Sequence, residues 1–534
     1  MNHATTARQP TTTQFWNKIT SSLISPAEAS FVTGSALLTL LAFPNFDLWF
    51  LAWISLVPLL IVVARAGSAV RAFFAGWLWG TIFFYGTCWW LTYPMIHYAG
   101  FHAWIAYTLL LLPVILVAFF PALACGFVAQ LVRRFGLNAL LLTPIIWVSF
   151  DWLRYVVTGQ LWNAIGYSQA FHPFFIQPAR WGGVYAISFV VVAANAAWVF
   201  ALTRPNTVRL LVSALALSAI VAATAFAKLE WLSEGPGSET DEVVVAIQPN
   251  VAMDLGGDPA QMDQLLASHF KWSSVGLQEH ISKEISPLTP RLVIWPESPM
   301  NFSYSRDPHL RQVVGDFARA NHTSILLNSL EPAKDGSDQN SAILVNEKGE
   351  MSARYDKIRL MPFGEYVPLP RWLPGASSVR GIVGEFEPGS SYTLMPLGAL
   401  RAGVFICIEA AHPGVARNFT NAGADVLINI SNDGYLGPTP VMRQHLANAI
   451  FRAVENDRDL LRVTNTGITA YIGANGAVVD QTTGFHEDVR TWTISKGGGT
   501  STFYTRHGDV FVYGCALISL GFISASFMRR RMVQ

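Results

Sequence analysis

Charged side chains are scarce in this chain of 534 residues, since Asp, Glu, Lys and Arg make up 13% of it and hydrophobic residues make up 51%. A typical soluble domain has about 25% charged residues. The formal net charge is only +1, and no long Lys/Arg-rich run is present. This composition excludes an ordinary soluble enzyme and a nucleic-acid partner, and it predicts a membrane protein.

Cysteine is also scarce, with four residues in the whole chain. Cys88, Cys125 and Cys515 lie in apolar segments, so Cys407 has no obvious partner and we expect no disulfide. No group of His, Cys and Asp residues has metal-ligand spacing, and no phosphate-binding loop is present, so we expect neither a metal nor a cofactor. His445 falls in an amphipathic stretch, where packing is a more common role than ligation. On composition alone, Cys407 is either a packed residue or a nucleophile.

Long apolar runs, in contrast, fill the first part of the chain. A bilayer core of about 30 Å needs roughly 20 apolar residues in a helix. The sequence predicts eight spanning segments, at residues 31–45, 46–65, 71–95, 102–131, 138–157, 181–202, 207–228 and 508–528. Proline and asparagine in the segment 44–47 predict the turn of a helical hairpin between the first two.

The orientation follows from the arginines. With the N-terminus inside, the tight basic clusters fall on the cytoplasmic side, although Arg180 in the opposite connection 158–180 fits this less well. No removable signal peptide is evident, so the first span would serve as the export signal. The predicted division is a cytoplasmic leader at 1–30, a membrane domain at 31–229, an exported catalytic domain at 230–507, a last span at 508–528 and a basic cytoplasmic tail at 529–534.

The exported segment alternates short β-branched runs with amphipathic stretches, which is typical of a layered α/β domain with its site at strand ends. Three residues stand at or just past predicted strands: Glu297, Lys357 and Cys407. They are far apart along the chain, so only the fold could bring them together. If it does, they suffice for acyl transfer, with Glu297 as base, Lys357 as the cation that stabilises an oxyanion, and Cys407 as nucleophile. Taken singly, Glu297 and Lys357 could equally be a solvated carboxylate and a surface lysine.

Several motifs resemble those of the nitrilase superfamily and, within it, the apolipoprotein N-acyltransferase family. The matching blocks are Trp295-Pro296-Glu297-Ser298, Tyr355-Asp356-Lys357, Pro362-Phe363-Gly364-Glu365, Cys407 with Glu409, Ser431-Asn432-Asp433, Gln444-His445-Leu446 and Asn465-Thr466-Gly467. In the membrane part, Asp151-Trp152-Leu153-Arg154 and Gly166-Tyr167-Ser168-Gln169 are similar too. The resemblance covers nearly the whole chain.

This resemblance implies a multi-pass α-helical membrane domain and an exported α-β-β-α sandwich, in the inner membrane of a bacterium with the catalytic domain in the periplasm. It also implies a ping-pong acyltransferase. Its cysteine would take an acyl chain from the sn-1 position of a phospholipid, usually phosphatidylethanolamine, as a thioester. The amino group of a diacylglyceryl-cysteine at an apolipoprotein N-terminus would then accept the chain.

The resemblance extends to residues around the trio. Glu365 matches a glutamate expected to orient the lysine and the acyl-enzyme, although it could also be a plain turn carboxylate. Glu409 matches a supporting carboxylate just after the nucleophile, and a structural hydrogen bond is nearly as plausible there. Tyr435 stands where the family usually has tryptophan, and we expect it to contact substrate.

The segment 361–391 is long and rich in proline and glycine, and it also carries bulky apolar residues such as Trp372 and Leu373. Loops of this length in a compact domain are usually functional or disordered. We predict a lid at the membrane surface that admits acyl chains and limits water, against the alternative of an irregular connection.

Two other functions stay open at this point. A membrane-tethered amidase or nitrilase could use the same trio to pass its acyl group to water. A non-catalytic lipoprotein-binding protein could keep the fold without the chemistry. Seven predicted spans before the domain argue against a simple tether, and retention of all three reactive residues argues against inactivity.

Overall fold

The computed structural model describes residues 23–203, 238–253, 259–281, 291–334, 336–367, 386–496 and 501–528. The predicted span at 207–228 and the basic tail lie outside these ranges. So do Trp372 and Leu373 of the predicted lid.

The first part of the described chain is helical. Its helices are α1 Pro26–Leu41, α2 Val57–Arg65, α3 Ala69–Thr87, α4 Thr92–His97, α5 Ala103–Val117, α6 Phe119–Phe135, α7 Thr143–Thr158, α8 Pro173–Ile176 and α9 Ala179–Thr203. Ser25 begins α1 because its hydroxyl accepts a hydrogen bond from the Glu28 amide while the Glu28 carboxylate accepts from the Ser25 amide. A turn follows α1 at the predicted position, before a short 3₁₀ helix at Trp49–Trp53.

Four stretches in the described ranges are long and apolar enough to cross a membrane: Ala103–Phe135, Leu137–Thr158, Ala179–Thr203 and Val510–Met528. They coincide with four of the predicted spans. The predicted span 46–65 corresponds to the shorter apolar stretch Trp49–Arg65. The predicted span 102–131 is built from α5 and α6, which meet at Ala118, with Pro113 inside α5. Large apolar side chains such as Trp104, Leu112 and Leu517 are exposed on these helices, which is compatible with contact to lipid.

The second part alternates strands with helices. Its strands are β1 Ser238–Gln248, β2 Arg291–Ile294, β3 Ser324–Pro332, β4 Asp338–Val345, β5 Met351–Asp356, β6 Leu394–Leu397, β7 Leu400–Ile406, β8 Val426–Ser431, β9 Leu460–Thr464, β10 Ala470–Ile472, β11 Val478–Gln481 and β12 Asp488–Lys496. Its helices are α10 Pro259–Ile281, α11 Pro308–Asn321, α12 Pro413–Asn421, α13 Val441–Asn456 and α14 Phe503–His507, and α15 Val510–Met528 follows.

The strands form two six-stranded sheets, ordered β12-β1-β2-β3-β4-β5 and β11-β10-β9-β8-β7-β6. In the first sheet, β1, β2 and β3 are parallel, and in the second β7, β8 and β9 are parallel. Alternate residues of β1 point to opposite faces. Val245 packs in a cluster with α10 and α11, while Val244 packs in the cluster that includes β7 and β8. The predicted α-β-β-α layering is confirmed.

The two parts share one continuous hydrophobic core. Helix α13 carries Gln444, whose side-chain oxygen accepts hydrogen bonds from the indole N–H groups of Trp90 at 3.1 Å and Trp162 at 2.8 Å. Its side-chain amide donates to the Thr87 carbonyl at 2.9 Å. Three separate points of the helical part are thereby tied to one buried side chain of the α/β part.

Candidate active site

Lys357 lies between two carboxylates. It follows β5 directly, and its Nζ donates to Glu365 Oε1 at 2.8 Å and lies 3.6 Å from Glu297 Oε1. Asn340 of β4 donates its side-chain amide to both carboxylates, at 3.0 Å to Glu297 and 2.7 Å to Glu365. The other oxygen of Glu297 accepts from the Asn432 amide at 3.0 Å. Glu297, from the loop after β2, is therefore fixed at both of its oxygens.

Cys407 is the residue directly after β7, where the chain turns from a strand into a 3₁₀ helix at Cys407–Ala411. Its φ is +52°, a left-handed conformation that costs a non-glycine residue on the order of 1–3 kcal/mol. Strained backbone of this kind persists only where its surroundings hold it. The turn takes Cys407 out of the regular strand and places it at the carboxyl end of β7.

The electrostatics join Cys407 to the charged group. Burial and the charge of Glu297 raise the pKa of the Cys407 thiol, and the charge of Lys357 opposes them. Burial alone would lower the pKa of Lys357, but the charges of Glu365 and Glu297 outweigh it and raise that pKa. At neutral pH the lysine is therefore an ammonium and the resting cysteine a neutral thiol. A thiol in this state needs a base before it can attack.

Glu409 is buried behind this arrangement. One of its oxygens accepts hydrogen bonds from the Tyr355 hydroxyl at 2.8 Å and from the amides of Ile358 at 2.9 Å and Arg359 at 3.0 Å. The other accepts from the Ile406 amide at 2.8 Å. Burial raises its pKa, and these hydrogen bonds oppose the shift. Because Ile358 follows the predicted lysine and Ile406 precedes the predicted nucleophile, Glu409 ties the two sheets together beside them.

An apolar cavity of about 350 Å³ adjoins the site. Phe84 and Leu91 line it from the helical part with Val117 of α5, and Met361 and Ile408 line it from the α/β part. Ile408 is the residue next to Cys407. Both parts of the protein are therefore needed to form this cavity, whose volume lies in the range of ligand-binding pockets.

The predicted site residues thus occupy several positions. Glu297 and Glu365 both contact Lys357, and the charges of all three act on the pKa of Cys407. Tyr435 stacks on Tyr98 of the helical part, with ring centroids 5.4 Å apart. The sequence motifs did not indicate Asn340, because a neutral amide near a strand carries no chemical signal of its own.

Comparison with known proteins follows the same division into two parts. Residues 260–502 match the family profile described as carbon-nitrogen hydrolase. A solved carbon-nitrogen hydrolase from Helicobacter pylori G27 is 16% identical and has a TM-score of 0.37, covering 48% of this chain and 89% of its own. The α/β part is therefore the segment that matches the carbon-nitrogen hydrolase profile.

Matches to the helical part and to the full length of the chain define the family more narrowly. Residues 35–197 match the profile described as the apolipoprotein N-acyltransferase N-terminal domain. An apolipoprotein N-acyltransferase of Geobacter metallireducens is 32% identical over 93% of this chain and 95% of its own, and one of Pasteurella multocida is 28% identical over 93% and 95%. The chain belongs to the apolipoprotein N-acyltransferase family. The resemblance seen in the sequence motifs is confirmed.

Proposed function

We propose that this protein transfers an acyl chain from the sn-1 position of a phospholipid, with phosphatidylethanolamine as the usual donor, to the N-terminal amine of diacylglyceryl-cysteine apolipoproteins. The observation that carries the proposal is the apolar cavity beside Cys407, which both parts of the protein line. A hydrolase of small amides would not need an apolar cavity lined in part by apolar helices. An acyl chain arriving from a bilayer would fill it.

In the first step, the Cys407 sulfur attacks the ester carbonyl of the phospholipid while Glu297 removes the thiol proton. The tetrahedral intermediate collapses as the carbon–oxygen bond breaks, and Glu297 returns the proton to the departing alkoxide. The products are a lysophospholipid and a thioester on Cys407. The raised pKa of the thiol supports this role for a base, because little thiolate exists before attack.

In the second step, the neutral amine of the acceptor attacks the thioester. Glu297 takes a proton from the attacking nitrogen as the amide bond forms, and the sulfur leaves and recovers a proton. The free thiol is restored and the acceptor becomes N-acylated. Because one site serves both half-reactions, the two substrates bind in turn.

Lys357 is assigned to the oxyanion of both tetrahedral intermediates. Its ammonium is buried and held by Glu365 at 2.8 Å, which fixes its position before reaction. A preorganised charge in a water-poor site stabilises developing negative charge more strongly than a mobile one in water. Glu365 therefore acts as the residue that orients Lys357, and the lid predicted at 361–391, with Trp372 and Leu373, would limit water at the same site. Tyr435, beside Asn432, is proposed to contact substrate.

The proposed setting is the bacterial inner membrane, with the α/β domain in the periplasm and the division of domains predicted from the sequence. The four long apolar stretches among the described residues support membrane insertion. The orientation rests on the arginine clusters and on where lipoprotein precursors would present their amino termini.

Incubation of the purified protein with phosphatidylethanolamine and a diacylated lipopeptide tests the proposal directly. Mass spectrometry should detect an N-acylated peptide and one lysophospholipid for each acyl chain transferred. Release of free fatty acid without peptide modification would support the alternative of a hydrolase. Absence of any product, with both substrates bound, would favour a binding protein.

A further inference from the structure

Two side chains donate hydrogen bonds to the backbone carbonyl of Cys407. His445 of α13 donates from Nε2 at 3.0 Å, and Asn429 of β8 donates its amide at 3.4 Å. A carbonyl can only accept, so His445 carries a proton on Nε2. These contacts reach the one residue of the turn that has a left-handed backbone.

Both donors are organised by one arginine. Arg462 of β9 donates to the Asn429 side-chain oxygen at 2.5 Å and to the Asp433 carboxylate at 2.9 Å. Asp433 in turn lies 2.9 Å from Nδ1 of His445. Burial alone would raise the pKa of Asp433, but the charges and hydrogen bonds of Arg462 and His445 lower it to about 2, so it stays ionised. All four side chains are buried, and a buried hydrogen-bond network of this kind allows few alternative arrangements.

The same loop also holds the proposed base. The amide of Asn432, adjacent to Asp433, donates to Glu297 Oε2 at 3.0 Å. The Asn432 amide that fixes Glu297 and the Asp433 carboxylate that fixes His445 therefore belong to adjacent residues. A displacement of this loop would move the base and the nucleophile relative to each other.

We propose that Asp433, His445 and Arg462 form a positioning network that holds the Cys407 carbonyl and, through the Asn432 peptide, sets the nucleophile against Glu297. These side chains act through the Cys407 carbonyl and the Asn432 peptide, so they are positioning residues. The proposal rests on the proposed role of Cys407 as nucleophile. It makes the spacing of thiol and base depend on a buried group from β9, α13 and the loop after β8.

Two substitutions of His445 separate positioning from packing. In His445→Gln, the side-chain amide can reach the place of Nε2 and still donate to the Cys407 carbonyl. In His445→Asn, the shorter amide can reach the place of Nδ1 and keeps only the contact with Asp433. Both substitutions remove the imidazole ring and leave a polar amide on the buried face of α13, so their effects on packing can be compared.

Two assays are measured on the full-length protein: steady-state transfer from phosphatidylethanolamine, and the burst of p-nitrophenol from p-nitrophenyl butyrate, with intact mass locating the butyryl group on Cys407. We expect His445→Asn to lower kcat and the burst rate on the order of 100-fold, as expected for a misplaced reacting group, with little change in the KM for phospholipid. His445→Gln should retain most of both rates.

Equal losses in the two variants, or a loss confined to KM, would overturn the positioning role. If His445→Asn does not fold, Asp433→Asn is the second probe, and a wild-type kcat in that variant would overturn the proposal equally. The p-nitrophenyl ester keeps this test separate from the proposed function. A wild-type burst on Cys407 that follows the same pattern, without any transfer from phospholipid, would reject the donor and leave the positioning network supported.

Discussion

At the scale of single residues, the central feature is a lysine shared by two carboxylates beside a thiol. Glu297 and Glu365 together hold Lys357 as an ammonium, and Asn340 donates a hydrogen bond to each carboxylate. The carboxylate of Glu297, which we propose as the base, also opposes ionisation of Cys407, because its negative charge raises the pKa of that thiol. Glu297 therefore disfavours ionisation of the resting thiol, whereas as the proposed base it would promote the reaction.

This opposition gives a prediction for Glu297→Gln. Removal of the charge should lower the pKa of the Cys407 thiol, so alkylation of Cys407 by iodoacetamide should begin at lower pH than in the wild type. Acyl transfer should nevertheless fall on the order of 100-fold or more, because general-base assistance is lost. Peptide mapping of alkylated Cys407 across a pH series and the steady-state rate are the two measurements.

Glu350→Gln is the control, since it makes the same change at an exposed carboxylate on the surface of the α/β part. It should leave both measurements unchanged. An alkylation profile of Glu297→Gln displaced to higher pH, or transfer at the wild-type rate, would contradict the assignment of Glu297.

The sequence singled out these charged residues but not their neutral partners. Glu297, Lys357, Glu365 and Cys407 stand in recognisable motifs with reactive side chains. Asn340 has no such mark, because its role exists only when β4 lies between β3 and β5. His445 was interpreted as a packed residue, which describes its burial but omits its bond to the Cys407 carbonyl, 38 positions away in sequence.

At the scale of elements, the cavity depends on where helix α5 ends. Leu116 and Val117 are neighbours near that end, yet Leu116 is 63% exposed on the outer surface and Val117 lines the cavity. The sequence predicted one span over 102–131, and apolar composition alone could not show that it divides at Ala118 or which side faces the site. The alternation of strands with helices in the α/β part agrees with expectation, because β-branched runs and amphipathic periodicity are local signals.

This pair of residues allows a matched test of the acyl-chain site. Val117→Trp should fill part of the cavity and raise the KM for a long-chain phospholipid by about tenfold or more, equivalent to about 1.4 kcal/mol of lost binding. A short-chain, water-soluble ester should be used at nearly the wild-type rate. Steady-state kinetics with the two donors give the comparison.

Leu116→Trp introduces the same ring one residue earlier, toward the outer surface, and should affect neither donor. Equal losses on both donors in Val117→Trp would indicate a general disturbance of the site. Unchanged use of the long-chain donor would show that acyl chains bind elsewhere.

At the scale of the whole molecule, the helical part and the α/β part are joined by one core and by buried polar contacts such as those of Gln444. The proposed reaction needs this union, because the thiol belongs to one part and much of the acyl-chain cavity to the other. Orientation in the membrane then decides which substrates can reach the site.

Fusion proteins test that orientation. Alkaline phosphatase becomes active only where its disulfides form, outside the cytoplasm. A fusion after Lys496 should be active, and a fusion after Gln534, beyond the last predicted span, should be inactive while accumulating to the same level. The reverse pattern would place the α/β domain in the cytoplasm and contradict the proposed topology.

If Cys407 carries the acyl chain between the two lipids, intact-mass analysis should detect the acyl-enzyme. The purified protein is incubated with phosphatidylethanolamine without acceptor, and its mass is measured before and after hydroxylamine and after addition of a diacylated lipopeptide. We expect one added acyl mass on Cys407 that hydroxylamine removes, that passes to the peptide, and that is absent from Cys407→Ala. Unmodified Cys407 in a protein that still transfers acyl chains, or acylation that persists in Cys407→Ala, would contradict it.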